Sequence, residues 1–557
     1  MTEHWWQRAV VYQVYVRSFA DSDGDGVGDL EGLRRRLDHL ASLGVDAVWL
    51  CPIYPSPQRD HGYDVADYTG IHPEYGDLDA FDRFVASARE RGIRVLLDVV
   101  PNHCSDQHPW FQAALRAGPG SDERARFWFR PGRRQASDRP GQPGVDGPPN
   151  NWQAAFGGSA WTAVGGEDPE WYLGTFTPYQ PDFDHDHPAV DAMFADTLRF
   201  WFDRGVDGFR VDAVWPIGKH PDLPDCPPLA PGEFNPYLRF RAEGHEVWRR
   251  WRRVVDQYMA AHPDRDVMLV AEAYTPRRPD ILAEYTHPDE FHQCFAFDLL
   301  LSPWHAPSMR QALAEAFAIG AAQGTWPTLT LNNHDTQRTV TRYGREAATR
   351  ADAWTGDNQH YPSGPVDLVA GTRRARAAAG LLLAMPGAVY LYQGEELGLP
   401  EVLDLPADAR EDPIFFRTGG EQIGRDGCRI PLPWTSDPAT AFGFSLASAT
   451  AAPWLPPPAG WGTYAVDRQA SDPSSMLALY RRLIAARTQL LGSSGAELQD
   501  EHDDLVVVRR GDVVVACNCS AQPVPCVAAS ELRPVLTTGD PPDGTTVPAD
   551  TTVWFAP

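Results

Sequence analysis

Short apolar runs alternate along this chain with longer stretches whose apolar residues recur every three or four positions. VVYQVYV at 10–16 reads as a strand. The next stretch, 30–43, places Leu30, Leu33, Leu37 and Leu40 on one face, so the spacing predicts a helix. VDAVWL at 45–50 is a second strand, 78–91 a helix, and IRVLLDVV at 93–100 a third strand. A helix over 189–204 leads into VDGFRVDAV, and a long helix over 241–261 leads into VMLVAEAY. Further strands are expected at 294–297, 326–331 and 388–392. Eight strands, nearly all followed by helices, predict an α/β fold with a parallel sheet, closed as a (β/α)8 TIM barrel. A doubly wound open sheet is the alternative, but the glycine-rich nucleotide turn that usually accompanies it is missing from the sequence.

Two regions break this rhythm. The stretch 104–180 is rich in Gly, Pro, Trp and Asn and too long for an ordinary loop, so it reads as a subdomain inserted after the third strand, over the barrel's C-terminal face. The stretch 401–470 is irregular and rich in Pro and Trp. After a helix over 476–487 the texture turns to alternation (DLVVVRR, DVVVACNC, TTVWFA), which predicts a small antiparallel β domain. The expected organisation is a barrel of residues 1–103 and 181–489, an insert of 104–180 and a C-terminal β domain of 490–557.

Composition narrows the function. Hydrophobic residues make up 43% of the 557, as in a globular protein. The 49 basic against 75 acidic residues give a formal charge of −26, which repels phosphate backbones and argues against a nucleic-acid partner. The longest apolar stretch, near 381–392, is interrupted by Pro386 and Gly387 and falls short of a membrane span. The opening MTEHWWQRAV lacks the pattern of a secretory signal. Eight scattered cysteines without a CxxC pair read as thiols in a reducing, cytoplasmic setting.

In a barrel, chemistry belongs at the C-terminal ends of the strands. The third predicted strand ends in Asp98, Asn102 and His103, and the fourth carries Arg210 and Asp212, two apart and therefore on one face. The fifth ends in Glu272, and the seventh runs into Asn332, His334 and Asp335. Glycoside hydrolysis uses such a set: an ionised carboxylate as nucleophile and a protonated carboxyl as acid. Arg210 beside Asp212 should favour its ionised form, and apolar neighbours should raise the pKa of Glu272. Asp335 suits sugar hydroxyls and oxocarbenium charge. Buried ion pairs bracing the barrel mouth would leave the same trace.

DVVPNH (98–103), GFRVDAV (208–214), Glu272 in VAEAY and NNHDTQR (332–338) resemble the four motif regions of the α-amylase family, glycoside hydrolase family thirteen. The resemblance covers barrel, insert and C-terminal domain. It implies Asp212 as nucleophile, Glu272 as acid/base and Asp335 as transition-state stabiliser, with His103, Arg210 and His334 on the sugar in the −1 subsite. Within the family the chain is most similar to α-glucosidases and oligo-1,6-glucosidases. QPDFDHD at 180–186 resembles their QPDxN segment, with Asp184 where Asn is usual. DHGYDVADY at 60–68 resembles their non-reducing-end pocket, where Asp60 would grip distal hydroxyls and Tyr63 would stack on the ring. GRDGCRIPLPW at 424–434 resembles the segment whose arginine, here Arg429, reaches the same pocket. Phe156 and Phe176 are expected as apolar walls, with core packing of the insert as the alternative. After the nucleophile, this group tends to carry valine in α-1,6-cleaving members and a smaller residue in α-1,4-cleaving ones. Ala213 stands there and favours maltose-type α-1,4 links.

DSDGDGVGD at 21–29 sets carboxylates at every second position. Asp21, Asp23, Asp25 and Asp29, with the Val27 carbonyl, would suit a structural Ca²⁺, with Mg²⁺ as the other candidate and a solvated acidic turn as the ion-free alternative. It matches the first nine positions of an EF-hand loop, but position twelve is Gly32. Related glucosidases carry a similar calcium loop. No organic cofactor is expected. The leading expectation is a cytoplasmic, exo-acting, retaining α-glucosidase on short oligosaccharides. Second comes a transglucosylase or sucrose/maltose-type isomerase that uses the same glucosyl-enzyme intermediate. A non-enzymatic interaction partner is third, and the presence of all three carboxylates speaks against it.

Overall fold

A computed structural model describes residues 4–135, 145–230, 233–275, 277–326, 328–349, 364–492 and 495–557. The expected insert and barrel also cover 136–144 and 350–363, which lie outside the described residues.

The barrel strands are β1 Val10–Val14, β2 Ala47–Leu50, β3 Arg94–Val99, β4 Gly208–Val211, β5 Met268–Ala271, β6 Gln293–Cys294, β7 Leu329–Thr330 and β8 Val389–Tyr392. They pair in parallel in the order β6-β5-β4-β3-β2-β1-β8-β7. A parallel bridge between Phe295 and Thr328 joins the two ends. The Ala296 N–H donates to the Thr328 carbonyl there, at 2.9 Å, so the sheet closes on itself as expected. The strands are shorter than their apolar runs; at β1, β3 and β6 the run continues past the ladder into the packed segment above.

The barrel interior is apolar below and polar above. Val11, Ala47, Leu96, Val270, Phe295 and Tyr390 form its lower filling, with Trp49 packed on Phe295 and Tyr390. Alternation then directs Gln13, Asp98 and Arg210 inward one step higher.

Outside, Asp77 caps the helix Leu78–Glu90 by accepting from the Ala80 N–H. The expected single helix over 30–43 is two, Leu30–Arg35 and Leu37–Leu43. Arg36 breaks it because its guanidinium stacks on Trp434 at 4.5 Å and donates to the Gly443 carbonyl at 3.2 Å. That contact to the 401–470 region is invisible to local periodicity.

The insert contains the helix Pro109–Ala117 and a three-stranded antiparallel sheet ordered Phe129–Pro131, Asp168–Leu173, Trp161–Gly165. Its entrance and exit are tied together by bridges between His103 and Asp182 and between Phe127 and Phe183. The insert is therefore a closed excursion above β3, and its exit returns Gln180 and Asp182 to the barrel mouth. The C-terminal region forms a five-stranded antiparallel sheet that packs on the helix Leu368–Leu382. Trp554 donates to the Gly380 carbonyl at 3.0 Å. A side chain at Gly380 would meet Thr538 Cγ2 at 2.5 Å, so only glycine permits that approach.

Candidate active site

The barrel register assembles the site. Asp98 on β3 lies beside Arg210 on β4. The ladder continues past the strands: Asp212 N–H donates to Val99 O, and Glu272 N–H to Val211 O, both at 2.9 Å. Hydrogen bonds of the sheet itself thus hold the two carboxylates on neighbouring strand ends.

Arg210 is the electrostatic centre. Its Nη1 donates to Asp98 Oδ1 at 2.9 Å and to Asp212 Oδ1 at 2.6 Å, and its Nη2 stands 3.6 Å from Glu272 Oε2. The four acids differ in access. Asp98 is 0% exposed, while the side chains of Asp212, Glu272 and Asp335 keep 12%, 15% and 24%. Only those three can meet a ligand. Asp98 is a support, also accepting from Tyr63 Oη at 3.0 Å and Trp49 Nε1 at 3.2 Å.

Burial pushes Glu272 up to about 8, against the pull of Arg210 and with help from the Asp212 charge. Asp212 is also pushed up, to about 6. This corrects the expectation for Asp212: Arg210 does favour its ionised form, but loss of hydration outweighs the arginine and Asp98 adds repulsion. The order still separates the two. A carboxyl that keeps its proton to about 8 beside one that loses it near 6 can serve as acid and nucleophile together at neutral pH.

Asp335 sits in the opposite environment. Arg425 Nη1 and Arg429 Nη2 donate to its Oδ1 at 3.0 and 3.1 Å. With His334 they hold the carboxyl well below its usual range despite burial. His334 Nδ1 receives Gln13 Nε2 at 2.7 Å, which leaves the ring proton on Nε2, 3.3 Å from Asp335 Oδ2. Burial lowers His334 to about 3, so it is a neutral donor. His103 is likewise buried and lowered; it meets Tyr63 O and Gln180 Nε2, each at 3.1 Å.

Asp60 closes one end. It is buried, accepts from Gln180 Nε2 at 3.0 Å and pairs with Arg425 Nη2 at 2.8 Å. Arg429, expected to reach this pocket, donates to Asp335 and to the His334 carbonyl, and the ion pair to Asp60 is made by Arg425. Arg425 also pairs with Asp412, so one guanidinium gathers three carboxylates. Tyr63 lies parallel to the His334 ring at 5.2 Å, so His334 covers one of its faces. Phe176 packs on His103 at 5.0 Å and on Phe156 at 5.7 Å, and Arg425 lies over Phe156 at 4.9 Å. Both phenylalanines thus stand against site residues.

Sequence reasoning passed over Arg425, Gln13, Gln180 and Asp412. Gln13 left one signal, a lone amide within an apolar run. Arg425 lay in the quoted segment four residues before Arg429, and nothing local says which arginine turns towards Asp60.

The acidic loop follows β1. Asp21, Asp23 and Asp29 bring carboxylate oxygens within 4.8 Å of one another. Asp25 does not join them, contrary to expectation: its Oδ1 accepts the Val27 N–H at 2.8 Å. Gly24 and Gly26, both at positive φ near 90°, let the loop double back. Among the described residues no basic side chain pairs with the three acids, and a converging set of hard oxygens with no counter-charge fits a divalent cation. Asp29 meanwhile caps the helix Leu30–Arg35 through the Gly32 N–H. All eight cysteines are free thiols. Among the described residues no helix is long and apolar enough to cross a membrane.

The family described as "Alpha amylase, catalytic domain" matches residues 13–492. A probable alpha-glucosidase of Rhizobium meliloti is 36% identical over 87% of this chain and 82% of its own length. An oligo-1,6-glucosidase of Parageobacillus thermoglucosidasius is 32% identical over 88% of this chain and 84% of its own. The crystal structure of an alpha-glucosyl transfer enzyme, XgtA, superposes with a TM-score of 0.83 at 31% identity, covering 100% of this chain and 99% of the other.

Proposed function

The chain belongs to the alpha-amylase family and is a glycoside hydrolase of alpha-glucosidase type, and on that footing we propose that it is an exo-acting, retaining α-glucosidase that releases terminal glucose from short oligosaccharides. The observation that carries the exo reading is the Asp60–Arg425 ion pair beside Asp335. A buried carboxylate–guanidinium pair at the pocket end supports room for one glucose ring and recognition of its distal hydroxyls.

Asp212 attacks the anomeric carbon as the glycosidic bond breaks, and Glu272 gives its proton to the departing oxygen. Glu272, now ionised, takes a proton from water, whose oxygen displaces Asp212 and frees glucose. Asp335, kept ionised by Arg425 and Arg429, faces the oxocarbenium charge. Neutral His103 and His334 and Arg210 hold ring hydroxyls, with Tyr63, Phe156 and Phe176 against the apolar faces. Ala213 next to the nucleophile leaves room at the +1 side, which favours α-1,4 over α-1,6 links. Asp21, Asp23 and Asp29 would hold calcium, which would brace the loop after β1 without entering the chemistry. Eight free thiols support a reducing, cytoplasmic setting.

A second reading, glucosyl transfer to a sugar instead of water, is favoured by the likeness to the alpha-glucosyl transfer enzyme. The test is a product assay on maltose, isomaltose, sucrose and trehalose, with Asp212→Ala as control. Glucose from maltose, absent in the control, is expected. New oligosaccharides or sucrose isomers would favour transfer, and no product from any of the four would refute both readings.

A further inference from the structure

The chain leaves β4 through Asp212, and its segment 233–241 comes back against 215–220. The Phe240 N–H donates to the Trp215 carbonyl and the His220 N–H to the Tyr237 carbonyl, each at 2.9 Å. This return lays Arg239 on Trp215, with the guanidinium carbon 3.9 Å from the ring centroid and Phe234 at 5.0 Å. Trp215 belongs to the wall of the site. It packs on Phe176 at 5.7 Å, in the same apolar cluster as Ala213.

Arg239 is half-buried, and among the described residues it has no hydrogen bond or ion pair from its side chain. The other arginines of the site differ: Arg210, Arg425 and Arg429 each hold carboxylates. Trp215 directly follows Ala213 and Val214, whose N–H groups donate to Glu272 Oε2 at 2.9 Å and to the Glu272 carbonyl at 3.1 Å, whereas Arg425 stands on Asp335 and Asp60. Arg239 on Trp215 is therefore on the side of the proton donor, where the leaving group departs. A guanidinium held over an indole by its π face keeps N–H groups available, and among the described residues none of those of Arg239 is taken by a partner. Those edges match the two oxygens of a carboxylate or phosphate. A neutral disaccharide needs no such cation, and the acids of the site spend theirs elsewhere.

We propose that Arg239 recognises an anionic group, carboxylate or phosphate ester, on the aglycone, so that the enzyme prefers α-glucosides whose leaving group is negatively charged. This rests on the glucosidase reading above.

Two substrate pairs test it: 4-carboxyphenyl α-glucoside against its methyl ester, and trehalose 6-phosphate against trehalose. Comparing charged-to-neutral ratios of kcat/KM between proteins cancels leaving-group ability. The wild-type ratio should exceed that of Arg239→Gln by about ten- to a hundredfold in at least one pair, with Arg239→Lys between them. The responding pair tells carboxylate from phosphate. Equal ratios in all three proteins would overturn the proposal and leave Arg239 as packing on Trp215. If Arg239→Gln does not fold, the wild-type preference decides: it must shrink as salt rises from about 0.05 to about 0.5 M, and a salt-independent ratio refutes it. Wild-type protein inert on all four substrates would sink the glucosidase reading itself; cleavage of charged and neutral members without charge preference sinks only the role of Arg239.

Discussion

The backbone N–H of Ala213 donates to Oε2 of Glu272 across 2.9 Å, from a residue held at a φ of +40°. The residue after Asp212 thus sits in a left-handed conformation that β-branched side chains resist, and it orients the acid. Ala213→Val should cost about 1–3 kcal/mol of stability. It should also shift the maltose-to-isomaltose ratio of kcat/KM by about tenfold against maltose, because the added methyl groups crowd the leaving group. Thermal melts and kinetics on the two sugars check this; an unchanged ratio would remove Ala213 from linkage control.

The two raised carboxyls predict a bell-shaped pH profile of kcat/KM. Below about 6 Asp212 takes up a proton and ceases to attack; above about 8 Glu272 loses the proton it must donate. The maximum should lie near 7. In Glu272→Gln the residual activity should lose the alkaline limb, and an alkaline limb that survives would assign it to another group.

Glu272 also makes a stability prediction. Its folded pKa of about 8 lies above the roughly 4.3 of an unfolded chain, so the native state binds the proton more tightly. The wild-type protein therefore loses stability from this group as pH rises from about 4.3 to about 8, and the loss is complete above that. Glu272→Gln should melt higher than wild type, by a margin larger at pH 9 than at pH 5. A margin that shrinks with pH would contradict the raised value.

Arg425 compensates Asp60, Asp335 and Asp412 at once. Arg425→Met should leave buried carboxylates unpaired and destabilise by about 3–5 kcal/mol, with kcat/KM falling at least a hundredfold. Arg425→Lys should recover part of the stability and little of the rate, since a single ammonium nitrogen lacks the planar fork whose three separate nitrogens reach the three carboxylates. Denaturation and kinetics on both variants decide the matter.

If Asp21, Asp23 and Asp29 hold a cation, calcium added to chelator-treated protein should raise its melting temperature, and Asp21→Ala should abolish that response. kcat should change less than twofold after chelation, as among the described residues the carboxylates of Asp21, Asp23 and Asp29 bond only to residues 22–32 and to no residue of the site. A large loss of kcat with no thermal effect would place the ion in the chemistry.

The alternation of strand and helix, and the carboxylates closing four apolar runs, were legible in the sequence. Both are local: side-chain direction repeats every two residues in a strand, and a barrel gathers strand ends on one face. What the tertiary structure decided depends on residues far apart. Arg425 meets Asp60 across 365 positions, and Gln13 meets His334 across 321. The kink at Arg36 answers to Trp434, and the pKa of Asp212 answers to burial more than to the arginine two residues away. Each is a matter of which long side chain finds which partner, and how much water is lost, once the chain has closed. The sequence lines up the acids, but only folding could decide their charges and bring Arg239 onto Trp215.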